Sequence, residues 1–159
     1  MTGGPALLKI VSGGQTGADR AALDWAIEHG VEHGGWCPRG RRAEDGAVPA
    51  RYRLAETPSD RWEQRTEWNV RDSDGTVIFT LAETLSGGSL TTREFARELA
   101  RPCLHLSGRV DGAGAGLALR RFLGEHAIRV LNVAGPRASG EPGVAEFVRH
   151  ALDAALGPR

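Results

Sequence analysis

Short apolar runs alternate with segments of helical periodicity along most of the chain. Apolar runs occupy residues 7–11, 75–81, 102–106 and 128–134, with a weaker run at 33–37 that contains two glycines. Helical patterns follow at residues 18–29, 60–72, 92–100, 117–126 and 142–156. This alternation is typical of a parallel sheet whose strands are joined by helices. The sequence therefore predicts an α/β fold with a doubly wound, mainly parallel five-stranded sheet and helices on both faces.

Length and composition exclude several classes of protein. A chain of 159 residues suits one domain with its own core, spanning residues 1–159. The formal net charge is zero, so we expect neither a nucleic-acid partner nor an anionic membrane surface. Cys37 and Cys103 lie far apart, and the five histidines lack metal-ligand spacing. The sequence therefore predicts no disulfide scaffold and no metal site.

The N-terminal segment gives no targeting signal. Residues 1–9 contain no apolar stretch of signal-peptide length, and no run elsewhere is long enough to cross a bilayer. We therefore expect a cytoplasmic protein.

The first apolar run leads into the glycine-rich turn Ser12–Gly17, and a helical segment follows it. Glycine lets the backbone approach a ligand closely, and a helix N-terminus favours an anion. The spacing matches neither the dinucleotide fingerprint nor the P-loop. The turn thus predicts a phosphate-bearing ligand, although a tight strand-to-helix turn without any ligand has the same pattern.

Two further glycine-containing turns, Ser86–Thr92 and Gly135–Ser139, follow later predicted strands. Ligands of doubly wound sheets bind at the carboxyl ends of the strands, so three turns at one edge predict a pocket. Thr91 and Thr92 fit either ligand binding or capping of the next helix. The candidate ligand-binding residues from the turns are Ser12, Gly13, Gly14, Gln15, Thr16, Gly17, Gly87, Gly88, Ser89, Thr91, Thr92 and Asn132.

Charged residues near these turns complete the predicted site. The guanidinium fork suits phosphate, and we expect that role for Arg20, Arg39 and Arg137. Arg41 and Arg42 are predicted to be solvated surface residues. Asp74 is a candidate acceptor of hydrogen bonds from a ribose or from the N–H groups of a heterocycle.

Four segments in order resemble one known family. They are IVSGGQTGADR at residues 10–20, GWCPRGRRAEDG at 35–46, RTEWNVRDSDGT at 65–76 and LNVAGPR at 131–137. Together they resemble the "putative molybdenum carrier" family. The resemblance implies a Rossmann-like fold within the lysine-decarboxylase-like, LOG-related nucleotide-binding proteins. It also implies a carrier that binds molybdenum cofactor (molybdopterin, a phosphorylated pterin) or a nucleotide, and a homo-oligomer, either dimer or tetramer.

A second, partial resemblance points to an enzyme. Residues 87–94 are similar to the G-G-x-G-T-x-x-E motif of cytokinin-activating phosphoribohydrolases, except that Leu90 replaces the third glycine. Arg65 lies nine residues before Asp74, a spacing similar to that of the arginine in that family. This resemblance implies an alternative function, a nucleotide N-glycosidase that uses Arg65 and Glu94. A glutamate that complements the helix dipole explains Glu94 equally well.

Overall fold

The computed structural model describes residues 6–157. Its strands are β1 (Lys9–Val11), β2 (Glu32–Gly34), β3 (Trp36–Cys37), β4 (Arg42–Ala43), β5 (Gly46–Ala47), β6 (Ala55–Glu56), β7 (Gly75–Thr80), β8 (Cys103–Ser107) and β9 (Val130–Ala134). Its helices are α1 (Ala18–Glu28), α2 (Trp62–Arg71), α3 (Gly87–Glu98), α4 (Ala115–Glu125) and α5 (Val144–Leu156), with a short 3₁₀ turn at Gly112–Gly114.

Five parallel strands form the central sheet, in the order β2-β1-β9-β7-β8. The three central strands are β1, β9 and β7, so the loops that follow them leave the sheet side by side at its carboxyl edge. This arrangement confirms the predicted α/β, Rossmann-like fold. No helix of residues 6–157 has the length and apolar character needed to cross a membrane.

Helices cover both faces of the sheet. On one face, α1, α4 and α5 pack against the sheet around a core that includes Trp25, Phe79, Leu119 and Leu152. On the other face, α2 and α3 pack against each other, and α3 also contacts β7 and β8. All six residues of β7 are buried, as expected for a central strand of a sheet that is covered on both sides.

Helix α3 begins earlier than the sequence predicts. The predicted start is near Thr92, but the helix begins at Gly87. The hydroxyls of Thr91 and Thr92 donate to the carbonyls of Gly87 and Gly88, one turn back within the helix. Capping of the helix by either threonine is therefore wrong. Two glycines weaken the helical pattern in sequence, which explains the late predicted start, and Ser89 and Thr92 are buried on the inner side of the first turns.

The segment between β2 and α2 is ordered by one arginine. The Arg41 side chain donates to the carbonyls of Tyr52 at 2.7 Å, Pro49 at 2.9 Å, Val48 at 3.1 Å and Leu54 at 3.3 Å. The expectation that Arg41 is solvated is wrong, because its guanidinium donates to four carbonyls of the irregular chain. Arg42 is a surface residue, 69% exposed at its side chain.

Candidate functional site

A cavity of about 430 Å³ opens at the carboxyl edge of the three central strands. The loops after β1 and β9 and the first turn of α3 form much of its wall, as the sequence predicts, and α2 forms the rest. The volume lies within the range typical of small-molecule sites. Its lining residues are Gly13, Gln15, Asp19, Trp62, Arg65, Thr66, Asn69, Ser86, Gly88, Ser89, Thr92, Asn132, Val133, Ala134, Gly135, Pro136, Arg137 and Gly140.

Gly13 brings free backbone into the cavity. The residue is buried, and its N–H has no acceptor among residues 6–157. A Cβ at this position would lie 2.7 Å from Arg65 Nη1, so a larger residue would displace that side chain. A buried N–H without a partner is costly, and a hydrogen-bonding ligand would satisfy it.

The other two glycines of the first loop have packing roles. Gly17 has a φ of 80°, and a Cβ there would lie 2.6 Å from the carbonyl oxygen of Pro136. Gly14 also has a φ of 80°, and its Cβ position lies 2.7 Å from Leu54 Cδ1. Neither residue lines the cavity. Backbone conformation and close packing therefore explain why glycine stands at both positions, without a ligand.

Arg65 reaches the cavity from α2. Its Nη1 donates to the Gly13 carbonyl at 2.9 Å, and its Nε donates to Thr66 Oγ1 at 3.2 Å. The sequence suggested Arg65 only for the alternative enzyme. The structure places this guanidinium beside the glycine loop, where a cation would stabilise a bound phosphate.

Asp19 is a residue that the sequence analysis missed. It lies in the first turn of α1, lines the cavity and is only 6% exposed. Burial raises its pKa to about 6, although the charge of Arg65 opposes this rise. A carboxyl group with a strongly shifted pKa in a cleft is a candidate functional group. The available signal in the sequence is an acidic residue at the start of the helix, two positions after Gly17.

An acidic hairpin tip docks on the loops that were expected to hold phosphate. The hydroxyls of Thr16 and Ser139 donate to the Glu44 carboxylate, and the Ser139 N–H donates to it at 3.2 Å. Arg137 Nε lies 3.8 Å from the same carboxylate. These hydrogen bonds, chiefly the one from the Ser139 hydroxyl, lower the pKa of Glu44. Thr16 and Arg137 therefore already contact an anion that belongs to the chain.

Arg20 likewise contacts a carboxylate of the hairpin tip. Its two terminal nitrogens contact the Asp45 carboxylate at 2.6 and 2.8 Å, and its Nε donates to the Gly14 carbonyl at 3.0 Å. Arg20 does not line the cavity. It joins the hairpin tip to the glycine loop, whereas the sequence predicts that it binds a phosphate.

Several predicted residues lie together at the cavity. The side chains or backbone of Gly13, Gln15, Gly88, Ser89, Thr92, Asn132 and Arg137 line it. Ser12 lies directly beneath, where its hydroxyl donates to the Val133 carbonyl at 2.6 Å and joins the loop after β1 to β9. The remaining predicted ligand-binding residues do not line the cavity.

Asp74 lies at the opposite edge of the sheet. Its Oδ2 accepts the N–H groups of Arg129 at 3.0 Å and Val130 at 2.9 Å, at the amino ends of β7 and β9. The structure therefore places Asp74 away from the cavity, at the edge opposite to the one where ligands of such sheets bind.

Gly87, Thr91, Glu94 and Arg39 do not line the cavity. Glu94 follows Thr92 by two residues, which is about 200° around a helix, so it projects away from the side of α3 that faces the cavity. It is exposed, as is Arg39 in the loop after β3. The structure therefore does not bring Glu94 to Arg65.

The outer side of the cavity continues into a second depression of about 390 Å³. Gln15, Trp62, Arg65 and Arg137 line both. The Trp62 ring is 40% exposed at this junction, and the sequence analysis did not select it. A ligand larger than the inner cavity has room to extend outward past these residues.

Comparison with known proteins agrees with this architecture. A sequence profile of the "Circularly permutated YpsA SLOG family" matches residues 10–156. The fold is similar to the crystal structure of the "Putative molybdenum carrier protein" from Syntrophus aciditrophicus, with a TM-score of 0.94 and 46% sequence identity. That alignment covers 97% of this chain and 98% of the other. Among curated proteins the sequence has no match. The chain belongs to the circularly permutated YpsA SLOG family, a molybdenum carrier-like, LOG-related group.

Proposed function

We propose that this protein binds a phosphorylated heterocycle, either molybdenum cofactor or a related nucleotide, and acts as a binding or carrier protein. The observation that carries the proposal is the buried Gly13 N–H beside Arg65 in a cavity at the carboxyl edge of the sheet. The similarity to a protein described as a molybdenum carrier supports the choice of ligand class.

The residues present fit such a ligand. The Gly13 N–H and the Arg65 guanidinium are donors that suit phosphate oxygens, and Arg137 adds a second cation at the mouth. The buried wall offers neutral polar groups and apolar surface for a ring. When bound, the cofactor would supply the metal-binding chemistry, and the chain would supply phosphate binding, orientation and exclusion of water.

The proposal also includes the oligomeric state. We expect copies of the chain to form a dimer or tetramer, and light scattering measures the molar mass of the assembly.

Replacement of Arg65 tests the proposal. Arg65→Ala removes the cation beside Gly13, so we expect the dissociation constants of guanosine monophosphate and inorganic phosphate to rise at least tenfold, or about 1.4 kcal/mol. Isothermal titration calorimetry measures both constants. The matched control is Arg39→Ala, since Arg39 is an exposed arginine away from the cavity, and it should bind as the wild type does. Equal losses in both variants, or no binding of phosphorylated compounds by the wild type, would contradict the proposal.

The alternative function, a nucleotide N-glycosidase with Arg65 and Glu94, makes a different prediction. It requires release of free base from nucleoside monophosphates, and that release should disappear in Glu94→Gln. Only Arg65 of the two residues lines the cavity, so we expect no release by the wild type. Chromatography of the reaction mixture decides between the two functions.

A further inference from the structure

The cavity has cations at its mouth and acceptors on its floor. Arg137 is 61% exposed at its side chain, and Arg65 is partly exposed and lines both the cavity and the outer depression. Asp19, Ser89 and Asn132 are between 3% and 9% exposed and line only the inner cavity. A phosphorylated heterocycle would therefore place its phosphate at Arg65 and the adjacent Gly13 N–H, on the side of the outer depression, and its ring against Asp19, Ser89 and Asn132.

The floor residues are incompletely paired. Asn132 Nδ2 donates to Thr76 Oγ1 at 3.1 Å, and among residues 6–157 no donor reaches the Asn132 amide oxygen. Asp19 Oδ2 accepts the Gln15 N–H at 3.2 Å. The nearby Arg65 directs its hydrogen bonds to Gly13 and Thr66 and makes none to Asp19. The floor thus presents two acceptor side chains that the fold does not use fully.

Few charged groups act on Asp19. Arg65 faces it from α2 and Arg20 from α1, and the neutral Gln15 and Ser12 complete its surroundings. Since its pKa is about 6, Asp19 is mainly ionised at pH 7 and is then a strong acceptor at a buried position. A buried carboxylate without an ion pair is costly for the fold, so a ligand that donates to it gains more than it would at the surface.

We propose that Asp19 is a specificity-determining residue, whose carboxylate accepts hydrogen bonds from adjacent N–H donors of a 2-amino-4-oxo ring of the guanine or pterin type. This inference rests on the proposed function, namely that the cavity binds a phosphorylated heterocycle. The ring N–H and the 2-amino group of such a ring donate in parallel, which matches the two oxygens of a carboxylate. The free Asn132 oxygen is a further acceptor on the same floor.

Guanosine and inosine monophosphates provide a matched pair of ligands, because they differ only in the 2-amino group. We expect the wild type to bind guanosine monophosphate at least tenfold more tightly than inosine monophosphate, by calorimetry at pH 7. Asp19→Asn should remove this preference and leave the affinity for inorganic phosphate unchanged. The control variant Glu98→Gln changes an exposed carboxylate of α3 outside the cavity and should keep the wild-type preference.

Proton linkage gives a second readout, and it needs no variant. Donors on the ring favour the ionised form of Asp19, so binding of guanosine monophosphate near pH 6 should release a proton. Calorimetry in two buffers of different ionisation enthalpy measures this release. Inosine monophosphate should release less.

Three results would overturn the inference. They are equal affinities of the wild type for the two nucleotides, a preference that persists in Asp19→Asn, and proton uptake on binding near pH 6. If inorganic phosphate binds and the nucleotides show no difference, the specificity role fails while the proposed function stands. If neither phosphate nor any nucleotide binds, both fail.

Discussion

Asp19 is placed where its charge is costly to the fold. Its pKa rises from 3.8 to about 6 because burial disfavours the carboxylate, so the folded chain holds this proton more tightly than the unfolded chain does. The contribution of Asp19 to stability is therefore most favourable below pH 4. It falls as the pH rises through 6, by about 3 kcal/mol in total. A group retained at this cost is better explained by ligand binding than by folding.

Replacement of Asp19 should therefore stabilise the free protein. Asp19→Asn keeps an acceptor for the Gln15 N–H and removes the buried charge. We expect its free energy of unfolding to exceed that of the wild type at pH 7.5 by up to about 3 kcal/mol, and the difference to vanish near pH 4. Urea denaturation at a series of pH values measures this. A difference that is constant with pH, or that has the opposite sign, would show that Asp19 is not a buried charge.

At the level of single residues, the sequence identifies which polar residues lie near the site more reliably than it identifies the residues that they contact. Gly13, Asn132 and Arg137 lie at the predicted cavity. Thr16 lies in the predicted loop and Arg20 in the helix that follows it, but each contacts a carboxylate of the hairpin tip. Because Glu44 and Asp45 are some 25 residues distant in sequence, no local pattern shows that they neutralise these donors. Asp19 was missed for a related reason, since its burial is a property of the folded chain that no local pattern shows.

Among the elements, those within residues 38–58 are the ones that no apolar run or helical pattern predicts. This segment contains the hairpin of β4 with β5 and the strand β6, which pairs in parallel with β3. Its Val48 and Tyr52 pack with Leu23 of α1 and Cys37 of β3 in a small core. Its strands have only two residues each, which is too short for an alternating pattern to be visible. The segment carries Glu44 to the glycine loop, and its shape therefore affects the site.

Arg41 should be essential to the order of this segment. Arg41→Lys keeps the charge but cannot donate to four carbonyls in the geometry of the guanidinium fork. We expect a loss of about 2 kcal/mol, with faster hydrogen exchange concentrated at residues 41–55. The neighbouring Arg42→Lys is the control, since Arg42 is mostly exposed and its Asp60 contact is 3.6 Å long. Equal exchange in the two variants would contradict this role for Arg41.

Helix α3 shows why the second glycine turn was located correctly but described wrongly. Its first turn does line the cavity through Gly88, Ser89 and Thr92. Residues 87–94 are helical, however, so only some of them face the cavity and the others face solvent. A prediction that treats the whole motif as a loop therefore includes residues that face away from the site. The position of Glu94 around the helix axis directs it away from the site. That position can be worked out from the sequence only when the first residue of the helix is known.

In the molecule as a whole, the two edges of the sheet have different roles. The carboxyl edge holds the glycine loop, the first turn of α3 and the cavity, where the buried Gly13 N–H has no acceptor within the described part of the chain. At the amino edge, Asp74 satisfies two backbone N–H groups across the neighbouring strands β7 and β9. The order of apolar and helical segments predicts this architecture because every long strand and helix is strongly patterned. The same pattern also places Asp74 at the amino edge, since the apolar run of residues 75–81 begins directly after it, and ligands bind at the opposite, carboxyl edge.

A substitution at Asp74 separates stability from ligand binding. Asp74→Ala leaves the N–H groups of Arg129 and Val130 without their acceptor, so we expect the free energy of unfolding to fall by about 1–3 kcal/mol. Asp74→Asn keeps an acceptor oxygen and should lose less. In both variants the affinity for guanosine monophosphate should equal that of the wild type, provided that calorimetry is done well below the unfolding transition. A loss of affinity without a loss of stability would return Asp74 to the ligand site. The expected result, lower stability with unchanged binding, requires that the cavity keep its shape when the opposite edge of the sheet is weakened, as a continuous five-stranded sheet between two helical layers allows.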